Sequence, residues 1–435
     1  MRGSPHVANA RRVSLHTDAS RRSRATPVVF LCFVVVMIDG YDTIMVSFIA
    51  PLLQHAYTLN LHDIARLFAM GYVGTIIGAL IAGWFADRVG RKSVLLVCLS
   101  VAGTATLLCA AVTAFETLPA LRLLAGLGLG GAMPCLTALT AENAPVERRS
   151  SVVMAMYMGY PVGAVVGGLI TSFFLAQGWR AIFIGGGIAM LGAVLAAFFI
   201  PETFRSTRGG TVDSSRLRTK LAQMGEQFAE GRLGPALMVW IGQFCMLLLL
   251  FLLTSWTPTM AVRSGLSLQT AAVCGVILNL GGVVGALALR GAVNRHGPFV
   301  PAAVMVGVGA LMIVLLGQTM GSTPLLMIVL LLVGITALGG QLICPAMIVE
   351  LFPVHVRGTG AGCAFAAGRV GSIIGPLLGG MLLSANLKLG WLYAIVALPA
   401  AIAAVVFACA NRMRQAPTQP AVGAAGQANI REENR

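Results

Sequence analysis

Asp39, Asp42, Arg122 and Arg369 are the charged side chains that stand deep inside stretches otherwise apolar. A charge near the middle of a bilayer costs roughly 2.5–3.5 kcal/mol on insertion scales, so residues kept there face a wet or paired interior and act on ions or substrates. The two aspartates lie three positions apart, which puts them on one face of a helix. Neighbouring carboxylates oppose double ionisation, the property a proton-binding site requires. Arginine supplies the complementary chemistry, because its planar fork holds a carboxylate through paired N–H···O bonds. Arg369, flanked by Gly368 and Gly371, has that capacity in a stretch free of other charge. Two acids and two bases thus imply a proton-coupled carrier of an anion. Arg369 can equally form an ion pair with one of the aspartates, and a substrate carboxylate together with a proton would then replace that pair without leaving a buried charge alone. Arg122 lies near one end of its stretch, where it either turns inward as a coupling residue or snorkels to the membrane surface.

The elements that must position these groups follow from composition. Of the 435 residues, 57% are hydrophobic and only 10% charged, against about 25% charged in soluble proteins. Apolar runs of about 20 residues recur along the chain, and at about 1.5 Å per residue each spans a hydrocarbon core. Twelve spans are read at approximately 28–53, 65–86, 94–114, 118–141, 150–175, 180–200, 235–258, 269–289, 299–318, 323–346, 359–384 and 391–410. The expected fold is an all-α membrane protein. The net charge of +15 alternates from loop to loop rather than forming a nucleic-acid patch. Arginines and lysines crowd the tails and alternate loops, which by the positive-inside rule places both termini in the cytoplasm. The basic N-terminal segment before Val28 imitates a signal peptide, yet the apolar stretch runs past both aspartates to Leu53, too long for one. All nine cysteines fall in or beside spans without a CxxC pair, so they read as packing residues. The histidines map to tails and loops. No metal, cofactor or enzyme constellation is expected.

The chain also repeats itself. Gly78-Ala79-Leu80 and Asp87-Arg88-Val89-Gly90 recur as Gly285-Ala286-Leu287 and Asn294-Arg295-His296-Gly297, offset by 207. Glu142, Pro145, Arg149, Gly163 and Gly167 recur as Glu350, Pro353, Arg357, Gly371 and Gly375, offset by 208. Two homologous six-span halves enclose a site between them near the midplane. The expected plan is a basic tail over 1–27, a six-helix bundle over 28–200, a cytoplasmic linker over 201–234, a second bundle over 235–410 and a tail over 411–435. Glu142 and Glu350, at equivalent helix ends, are expected to gate, with Arg149 and Arg357 within reach of them.

Gly83 to Lys92 resembles the loop motif of the major facilitator superfamily, G-x-x-x-D-R-x-G-R-K. That resemblance implies that Asp87, Arg88 and Arg91 latch the cytoplasmic ends of the two halves; the second copy has Asn294 in place of the acid. Arg122 followed by Gly126, Gly128 and Gly130 resembles the superfamily's span-four motif, with the glycines permitting close helix approach. Asp39-Gly40-Tyr41-Asp42, Ser47 to Pro51 and Gly368-Arg369-Val370-Gly371 resemble the aromatic acid:proton symporter group. Its members carry an aromatic carboxylate and protons across the bacterial inner membrane. On this resemblance Asp39, Asp42 and Arg122 couple the proton, and Arg369, Tyr41 and Asn279 bind substrate. A monomer embedded in membrane lipid is expected. Transport of another organic acid or a sugar, or drug efflux, are the competing readings. Trp256, near the end of its span, is expected in the interfacial aromatic belt, with a place in the cavity wall as the alternative.

Overall fold

The computed structural model describes residues 5–145, 149–198, 233–319, 322–352, 354–385 and 387–415, with side chains from residue 27 onward except those of 87, 150, 349, 354–359 and 415. The expected linker, apart from its last residues, therefore lies outside the described residues, as do most of the C-terminal tail and the side chains of Asp87 and Arg357. Among the described residues every regular element is helical, and twelve helices are long and apolar enough to cross a membrane. Spans one to six are Pro27–Ala56, Leu61–Ala86, Arg91–Ala110, Thr117–Asn143, Ser151–Gln177 and Trp179–Phe198. Spans seven to twelve are Leu233–Arg263, Leu268–His296, Phe299–Leu316, Thr323–Ile348, Gly360–Ser384 and Leu389–Arg414. Span ten is not uniform: a π-helical turn, Gly334–Leu338, interrupts it against span eight.

Local chemistry repeats with the sequence. Span two starts at a capping box, in which the Asp63 amide donates to Asn60 Oδ1 at 2.9 Å and the Asn60 amide donates to the Asp63 carboxylate at 3.3 Å. Span eight starts 207 residues later on Ser267, whose hydroxyl accepts from the Thr270 amide at 3.2 Å. The turns after spans two and eight pass through Gly90 at φ 104° and Gly297 at φ 73°. Only glycine enters that region without steric cost, which is why both copies keep it.

Spans one to six pack on one another, as do seven to twelve, giving two six-helix bundles. Their closest approaches are equivalent too. A Cβ at Gly163 of span five would run into the Met37 carbonyl of span one, and one at Gly371 of span eleven into the Phe244 carbonyl of span seven, the glycines 208 and the carbonyls 207 residues apart. Gly163→Val therefore separates spans one and five, and the expected outcome is a severalfold drop in monodisperse protein recovered in mild detergent. The bundles meet through spans one and seven, two and eleven, and five and eight. The aromatic contacts between them, Phe68 with Trp256 at 5.6 Å and Tyr72 with Phe251 at 4.5 Å, lie toward the side away from the termini.

Candidate functional site

Asp42, in the middle of span one, has no exposed surface and Arg122 of span four only 5%. Arg122 Nη2 donates to Asp42 Oδ2 at 2.8 Å and to the Asp42 backbone carbonyl at 3.2 Å. Thr106 Oγ1 of span three donates to Asp42 Oδ1 at 2.8 Å. Both carboxylate oxygens are thus engaged, by a charge-assisted bond on one side and a hydroxyl on the other. Arg122 turns inward rather than snorkelling, because glycines bring its helix close: Cβ atoms at Gly126 and Gly130 would meet the carbonyls of Gly71 and Thr75 on span two. Arg122 Nη1 is buried and has no hydrogen-bond partner in the protein. A small cavity of about 20 Å³ adjoins Arg122, lined also by Thr43, Phe68, Tyr72 and Thr75.

Asp39, one turn before Asp42, is 9% exposed. Asp42, Arg122 and Arg369 are the charged side chains whose fields reach it. Arg369 is half-buried on span eleven, and it closes no ion pair with either aspartate. The first-span ion pair is therefore made by Arg122 from the same bundle, not by Arg369 across the interface. Tyr72 and Tyr160 sense both Asp39 and Arg369, and Tyr72 faces Ser255 of span seven. Asp39, Tyr72, Tyr160, Ser255 and Arg369 lie on spans one, two, five, seven and eleven, which line the junction of the bundles.

The remaining sequence candidates fall in varied places. The Tyr41 hydroxyl donates to the Ile182 carbonyl of span six at 3.0 Å, and its ring packs against Gly167 and Gly186, inside the first bundle. The Asn279 amide donates to Gly275 one turn back on span eight at 2.9 Å. Trp256 departs from the expected belt: it is fully buried, with its indole N–H donating to the Pro376 carbonyl at 2.9 Å. Its partners are Phe68 and Gly379, so the bundle interface, not the membrane surface, claims it. Arg88 lies over the Trp84 ring of its own helix at 3.5 Å, and Arg149 is exposed at the start of its helix.

On the side of the termini, Glu142 pairs with Arg91, while Lys92 Nζ donates to the Phe198 carbonyl at 2.8 Å. In the second bundle Pro298 and Phe299 occupy the places of Arg91 and Lys92. There the cation comes instead from span twelve: Arg414 pairs with Glu350 and lies 5.1 Å from the Phe299 ring centroid. The junction of loop, acid and last helix is conserved in plan although its cation changes helix. Both pairs are partly exposed, a setting worth roughly 0.2–1 kcal/mol. Glu350→Gln is accordingly expected to lower the initial rate of transport severalfold while leaving the amount of membrane-inserted protein unchanged, measured by uptake normalised to immunoblot.

The polar core breaks the symmetry of the repeat. Leu249, Leu330 and Ile313 occupy the positions equivalent to Asp42, Arg122 and Thr106, and all three belong to the buried apolar core. Thr106, Tyr72 and Ser255 were not singled out by sequence reading. A hydroxyl in an apolar span carries no periodic signal, and only the absence of a polar twin for Thr106 in the other half marks it.

Two pseudo-equivalent six-helix bundles around a buried acid–base pair define a transporter of the membrane, crossed many times by its chain. The Major Facilitator Superfamily model matches residues 32–340 and 304–432, and the chain belongs to that family, whose members are transporters and not enzymes. It is 32% identical to the 4-hydroxybenzoate transporter PcaK of Acinetobacter baylyi over 87% of this chain and 89% of that one. It is 33% identical to the gallate transporter of Pseudomonas putida over 91% of this chain and 94% of that one. Among solved structures, the D-xylose-proton symporter superposes with a TM-score of 0.74 at 18% identity, covering 88% of this chain and 97% of that one, and shares the fold.

Proposed function

We propose that the chain is a proton-coupled symporter that imports an aromatic carboxylate of the benzoate or hydroxybenzoate type by alternating access across a bacterial inner membrane. The observation that carries the coupling is the fully buried Asp42–Arg122 pair, present in one bundle and replaced by leucines in the other. The substrate class is supported by relatives named as transporters of 4-hydroxybenzoate and gallate. Both termini lie in the cytoplasm, and the carrier works as a monomer with lipid around it. The bundles then touch toward the periplasmic side, an inward-facing arrangement, and Asp87, Arg88, Arg91, Arg149 and Arg357 belong to the cytoplasmic gate with the two glutamates.

Charge balance sets the cycle. Asp39, Asp42, Arg122 and Arg369 sum to zero, so adding one substrate carboxylate leaves a buried charge unless a proton enters with it. Arg369 receives the carboxylate at the bundle interface. The proton goes to Asp42 and loosens its hold on Arg122, whose Nη1 is already free to bond elsewhere. Tyr41 holds the aspartate-bearing helix against span six, and Asn279 supports the facing wall from span eight.

The test is uptake of labelled benzoate, 4-hydroxybenzoate and an aliphatic acid into cells, with and without a protonophore. Accumulation of the aromatic acids that collapses with protonophore is expected. Uptake of the aliphatic acid alone, or indifference to the protonophore, removes the proposal.

A further inference from the structure

We infer that Thr106 is the positioning residue that makes Asp42 a reversible proton site, and that Asp42 Oδ1 is the atom that carries the proton. The inference rests on Asp42 being the coupling acid and adds the means by which it works.

In the ionised state Arg122 Nη2 donates to Oδ2 and Thr106 Oγ1 donates to Oδ1. A proton placed on Oδ2 would point a donor at a guanidinium, which has donors only. A proton on Oδ1 meets a hydroxyl, which is both donor and acceptor. The step is then a rotation: Oδ1 gains the proton and donates to Thr106 Oγ1, and the threonine's own hydrogen turns away from Asp42. No bond other than O–H forms, and both oxygens of Asp42 keep their partners in either state.

The rest of the surroundings agree. The Thr106 methyl faces Gly186 of span six, and branching at Cβ restricts the rotamers open to the side chain whose hydroxyl reaches Asp42. The groups electrostatically coupled to Asp42 are Asp39 and Tyr41 on its own helix, Arg122 on span four and Cys109 on span three. Of these Cys109 alone shares span three with Thr106, and the hydrogen bonds to the Asp42 carboxylate come from Thr106 and Arg122. In the second bundle the threonine disappears together with the acid and the base, since Ile313, Leu249 and Leu330 stand there. A threonine needed only for packing would have no reason to follow the pair.

The experiment compares proton-driven accumulation with counterflow exchange of labelled 4-hydroxybenzoate in proteoliposomes, for wild type, Thr106→Val, Thr106→Ser and Asp42→Asn. Valine keeps the shape and removes the hydroxyl; serine keeps the hydroxyl. Thr106→Val is expected to lose accumulation by roughly tenfold or more, the size of effect that follows loss of a hydrogen bond to a charged group, while counterflow stays within about threefold and Thr106→Ser recovers at least about half of the accumulation. Where the valine variant does not insert, Thr106→Ala against Thr106→Ser gives the same comparison. Normal accumulation in the hydroxyl-free variant, with Asp42→Asn inactive, overturns the role of Thr106 and leaves Asp42 in place. Equal loss of both activities, without recovery by serine, also overturns it and assigns the residue to packing. Normal accumulation in Asp42→Asn removes the coupling acid itself, and the inference with it.

Discussion

Asp42→Asn is expected to abolish accumulation against a gradient while the protein remains in the membrane and still exchanges substrate. The reason lies in what the amide retains. Its oxygen can accept from Arg122 in place of Oδ2, and its NH2 can donate to Thr106, whose hydroxyl turns from donor to acceptor. The buried hydrogen bonds survive and offset part of the cost of leaving the Arg122 charge without its counter-ion; a titratable proton does not survive. Counterflow needs no net proton movement and should stay within several-fold of wild type, whereas the accumulation ratio should fall to the equilibrium value. The measurement is labelled 4-hydroxybenzoate in proteoliposomes with an imposed pH gradient. An accumulation ratio like that of wild type would remove Asp42 from the cycle.

Arg122→Leu should be the most destabilising of the single substitutions in the polar core. It leaves Asp42 buried without a counter-charge, and breaking a buried pair from one side typically costs about 3–5 kcal/mol. The second bundle shows the alternative that folding accepts, because its equivalent positions hold Leu249, Leu330 and Ile313 in a continuous apolar core. Replacing the whole set, Asp42→Leu with Arg122→Leu and Thr106→Ile, should therefore restore the thermal midpoint to wild type or above, since apolar replacement of a buried ion pair is often neutral or stabilising. The same triple variant should transport nothing uphill. Thermal unfolding in detergent reads the first effect and proteoliposome accumulation the second. A triple variant less stable than Arg122→Leu would show that the two halves do not share a core plan at these positions.

Much of the molecule was legible in one dimension. Period and length of the apolar runs gave the spans, because a bilayer of fixed thickness demands helices of about 20 residues. Self-similarity at offsets of 207 and 208 gave the two halves. The structure adds equivalent caps at Asn60 and Ser267 and positive-φ turns at the repeated Gly90 and Gly297, since those depend on local residue type. Trp256 read differently, because a tryptophan near a span end has the same sequence signature whether it meets lipid headgroups or another bundle.

The four buried charges mark the division. Their existence, and the face that Asp39 and Asp42 share, were set by the sequence, since cost of burial and helical period are local properties. Which base meets which acid was decided in three dimensions. Gly126 and Gly130 let span four close on span two and carry Arg122 to Asp42, while Arg369 stays across the bundle interface, coupled to Asp39 without an ion pair. Thr106 became visible only there too, because a hydroxyl acquires meaning from the oxygen it faces, and that oxygen is 64 residues away along the chain.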